Sequence, residues 1–101
     1  MPPRDAAIDV EAAQALAVAA LAFIAGEPER LGRFLALTGL GPETLRAAAA
    51  EPGFLVAVLD HVLADQSELF VFAESAGASP ERIEAARGVL ARTRPRDGIE
   101  P

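Results

Sequence analysis

Phe54-Leu55-Val56-Ala57-Val58-Leu59-Asp60-His61-Val62-Leu63 is the stretch on which the fold turns. Within it Phe54, Leu55, Val58, Leu59, Val62 and Leu63 recur as pairs every four residues. On an α-helix that period stacks them into one broad apolar stripe. Ala57, Asp60, His61 and Ala64 fall on the opposite face, and His61 is the only histidine in the chain. The strongest core signal and the most reactive side chain therefore share one segment.

Around this segment the composition is that of a helical domain. At 101 residues the chain is one domain of ordinary size. Apolar residues make up 51% of it, but alanine supplies much of that fraction and buries little area at about 25 cal/mol per Å². The larger apolar residues cluster at 16–24, 31–40, 54–63 and 69–72, with Ile83, Val89 and Leu90 following. Alanine, leucine, glutamate and arginine all favour helix, β-branched residues are few, and no run alternates as a half-buried strand does. The expected fold class is all-α: a compact single-domain bundle of five or six short helices, with a flexible N-terminus at 1–8, the helical domain at 9–92 and a flexible C-terminal tail at 93–101.

Turn and cap residues divide the chain. Asp5 or Asp9 opens the first helix, and Gly26 is the expected left-handed stop. Four later helices open on an x-Pro step: Glu27-Pro28, Gly41-Pro42, Glu51-Pro52 and Ser79-Pro80. Leu40 and Leu45 are spaced as a hydrophobic staple, and Asp65-Gln66-Ser67-Glu68 reads as an aspartate-led capping box at a bend. Gly39 and Gly77 end the helices before them. On this division Arg30, Arg33 and Leu37 share one face of the second helix, while Phe70 and Val71 fall off the inner stripe of the fifth.

Charge and composition exclude several function classes. All nine positive charges are arginines and the net charge is −6. Six acids and no arginine lie between positions 47 and 81, and an acidic middle repels phosphate backbones, so no nucleic acid is expected as a partner. The longest apolar run, 15–25, falls well short of the ~20 residues a membrane span needs, and no membrane association is expected. The start lacks a signal-peptide pattern and the chain has no cysteine, which fits a cytoplasmic setting and removes disulfides and cysteine-ligated zinc. No serine is flanked as Gly-x-Ser-x-Gly, and the glycines of Thr38-Gly39-Leu40-Gly41-Pro42 lack the lysine of a phosphate loop.

The segments Arg33-Phe34-Leu35-Ala36-Leu37-Thr38-Gly39-Leu40, Leu45-Arg46, Phe54-Leu55 through Val58-Leu59-Asp60, Phe72-Ala73 and Pro80-Glu81 carry a resemblance. Over nearly the whole chain they make it similar to the alphaproteobacterial family known as "domain of unknown function 3572". The resemblance implies fold and length, and it brings no activity with it. The family pattern has an aromatic or apolar residue where His61 stands, which argues against His61 as a shared catalytic group.

Two readings of function remain. The first is a non-catalytic protein-interaction or adaptor module with an acidic central surface, meeting a protein partner or a second copy of itself as a homodimer. Its candidate partner surface is Asp60, His61, Asp65, Glu68, Arg33 and Leu37, with no cofactor. The second is a small enzyme or metal-binding protein centred on His61 and Asp65, four residues apart and so on neighbouring turns of one helix, where a carboxylate orients an imidazole base. One histidine is not the two-histidine helix motif of metalloproteases, and Asp65-Gln66-Ser67-Glu68 lacks the glycine of a calcium loop. The first reading is the working expectation.

Overall fold

Every expected x-Pro step opens a helix. The computed structural model describes residues 8–48 and 51–92, and among these it contains six helices: α1 (Val10–Ala25), α2 (Pro28–Thr38), α3 (Pro42–Ala48), α4 (Pro52–Ala64), α5 (Gln66–Ala76) and α6 (Pro80–Arg92). The fold is an all-α single domain. Residues 1–7 and 93–101, expected as flexible ends, lie outside the described residues, whereas Ile8 is buried against the core. Ala49 and Ala50 also lie outside them.

Polar caps fix the boundaries. Asp9 Oδ1 accepts the Ala12 N–H at 2.8 Å, and Ser79 Oγ accepts the Arg82 N–H at 3.1 Å. Gly39 and Gly77 end α2 and α5 in the left-handed conformation, at φ 77° and 67°. Gly26 does not. Its φ is −73°, and the chain instead reverses at Glu27, which is extended and precedes α2. What favours glycine there is space, since a Cβ would sit 3.2 Å from the Ala22 carbonyl oxygen, a tight contact. The α1–α2 pair bends by 112° across this joint, and among the described residues no single helix is long and apolar enough to cross a membrane.

The centre is a layer of α1, α4 and α6, with α5 packed mainly on α4 and α2 close mainly to α1. From α4 come Leu55, Val56, Val58, Leu59 and Val62, all buried, with Phe54 and Leu63 half-buried beside them. The stripe is as expected, widened by Val56. α6 contributes Ile83, Ala86 and Leu90. The inner face of α1 consists of Ala13, Ala17, Ala20 and Ile24, while its larger Leu16, Leu21 and Phe23 are only partly buried. Five of the sixteen buried apolar residues are alanines, so alanine contributes here by letting helix backbones approach rather than by area.

α2 is attached differently. Its one fully buried side chain is Phe34, which enters between α4 side chains, edge-on to Phe54 (centroids 5.9 Å apart) and to His61 (5.1 Å). Leu31 and Leu35 pack half-buried against the core beside it, and the ionic part of its anchorage leads to α5.

Candidate functional site

Asp65 is a single extended residue between α4 and α5, ending one helix and capping the next. Its Oδ1 accepts the Glu68 N–H at 3.1 Å, as a capping box requires. The reciprocal half of the box does not form, because the Asp65 N–H bonds the Val62 carbonyl instead. Glu68 turns inward. It is the one buried charged residue among the described residues, at 8% exposure.

A carboxylate taken out of water is costly unless opposite charges and donors surround it. Glu68 Oε2 lies 3.5 Å from Arg30 Nε and 3.9 Å from Arg33 Nη1, both from α2. Oε1 lies 3.7 Å from His61 Nε2 on α4 and accepts no hydrogen bond. Arg30 is fully committed: it pairs with Glu27 at 3.3 Å, donates to the Phe23 carbonyl at 3.3 Å and stacks 4.1 Å over the Phe23 ring. Arg33 is not. Its side chain is 55% exposed, and its contacts to Glu68 and Asp65 (4.0 Å) are too long for hydrogen bonds.

These residues line an open cleft of about 230 Å³ between α2 and α5, walled by Glu27, Glu29, Arg30, Arg33, Asp65, Ser67, Glu68 and Val71. Large apolar side chains stand exposed on the same two helices: Leu37 at 70%, Phe70 at 55% and Val71 at 51%. Leu37 follows Arg33 by four residues and Val71 follows Glu68 by three, so each lies on its helix's cleft-side row. Exposed apolar side chains thus stand on the two helices that wall a charged recess, with Val71 in the wall itself.

The structure therefore brings together Arg33, Asp65 and Glu68 of the expected partner surface, with Glu68 inside the cluster against His61 and Leu37 one turn beyond Arg33 on α2. Asp60 lies elsewhere, bound to Arg87 of α6 with Nε–Oδ1 at 2.7 Å and Nη2–Oδ2 at 3.4 Å. That carboxylate raises the Arg87 pKa further above its already high value, chiefly by hydrogen bonding and then by charge. His61 is largely covered and faces Glu68 and Phe34. It is not paired with Asp65, whose charge partner is Arg33. Among the described residues no three His, Asp or Glu side chains converge as a metal-holding group. Arg30, Phe70 and Val71 are the additions to the expected surface. Phe70 and Val71 are visible in the sequence as apolar residues off the α5 stripe, whereas nothing in the sequence singles out Arg30 over Arg33.

The model of the family described as "Protein of unknown function (DUF3572)" matches residues 10–93. No curated protein and no solved structure matches the chain.

Proposed function

Since the chain belongs to the family of proteins of unknown function DUF3572, which carries no activity over to it, we propose on physical grounds that it is a protein-interaction module docking through the α2–α5 face. One observation carries the reading: Val71 stands exposed in the wall of a charged cleft, with Leu37 exposed one turn beyond Arg33 on α2 and Phe70 exposed on the adjoining face of α5. A monomer gains nothing from large apolar side chains in water, and a patch rimmed by polar groups is the usual form of a protein contact. The function is non-catalytic, and a cytoplasmic setting belongs to the same proposal.

Replacing Phe70 and Val71 together by serine tests it. Both are more than half exposed, so stability changes by only about 0.5 kcal/mol per site. A tagged full-length chain, cross-linked in its native cells, is expected to recover one protein repeatedly, and the double variant is expected to lose it. Val18→Ser on α1, 54% exposed and away from the cleft, is the control and retains the partner. Identical recovery by all three chains, or none by the wild type, overturns the proposal.

A further inference from the structure

We draw no further inference here: the strongest candidate, the open groove between α1 and the α5–α6 joint lined by Ala12, Ala15, Leu16, Ala19, Ala78 and Arg82, is an apolar face of mostly small residues, and nothing in the structure shows what covers it.

Discussion

Around Ala17 three helices meet through apolar atoms alone, whereas around Glu68 they meet through a shared carboxylate. In the first region Ala13, Ala17 and Ala20 of α1 face α4 and α6 with no solvent access and no polar side chain buried among them. In the second, α2 reaches α4 through one phenyl ring and α5 through two arginines on one acid. Apolar packing loses its contacts steeply when atoms separate, so the first region has a single arrangement. Ion pairs longer than 3.3 Å with an exposed arginine tolerate rearrangement, so the second region can exchange partners. Close apolar packing and looser ion pairing thus occupy different regions of the fold.

The largest expected effect tests the first region. Leu59 is fully buried in α4, and Leu59→Asp places an unpaired charge there. Such changes cost upward of about 4 kcal/mol, comparable with the whole stability of a small domain at about 5–15 kcal/mol. The variant is expected to lose its cooperative thermal transition by circular dichroism. A transition at the wild-type temperature would mean that the α4 stripe does not face the core.

Phe34→Ala comes next and separates the two regions. Truncating a fully buried phenylalanine costs about 3–5 kcal/mol. Because Phe34 is the only side chain of α2 that is buried outright, the loss is expected to concentrate there. Amide exchange should accelerate across α2 while α1, α4 and α6 keep their protection against one another. Equal acceleration in all helices would show that α2 is as integral as the central layer, and the contrast drawn above would fail.

The central region was legible in the sequence because its signals have one meaning each. Pairs of large apolar residues four apart, as in 54–63, fit only a buried helical face, and Pro28 or Pro80 after a polar residue fits only a helix start. The same clarity marked Leu37, Phe70 and Val71 as leftovers. Glu68 was misread because an acid three residues after Asp65 satisfies a capping box and an inward ion pair equally well. Which one forms depends on Arg30 and Arg33, more than thirty residues away. Ala13, Ala17 and Ala20 were overlooked because alanine is as comfortable in water as in a helix crossing, and local pattern cannot choose. Gly26 was assigned a left-handed turn because glycine signals both freedom of φ and lack of a Cβ, and here the second reason applies.

The smallest expected effect is at the ion pair outside both regions. Arg87 and Asp60 form a two-pronged bond between α6 and α4, with better geometry than any contact to Glu68. Geometry alone would rank it as the stronger tie. Both side chains are more than 40% exposed, however, so water and salt screen it, and the apolar seam beneath it already fixes α4 against α6. Arg87→Ala is therefore expected to shift the thermal midpoint only slightly, and the shift should vanish in molar salt. A raised arginine pKa stabilises the fold below the unfolded value and is lost only as pH rises through the folded one, here in strong alkali. The difference between variant and wild type is consequently expected to stay flat from neutral pH to about pH 10, because arginine titrates well above that range even in the unfolded chain. A large, salt-resistant loss would show that α6 depends on this bond, and that charge, rather than the alanine seam, holds the central layer together.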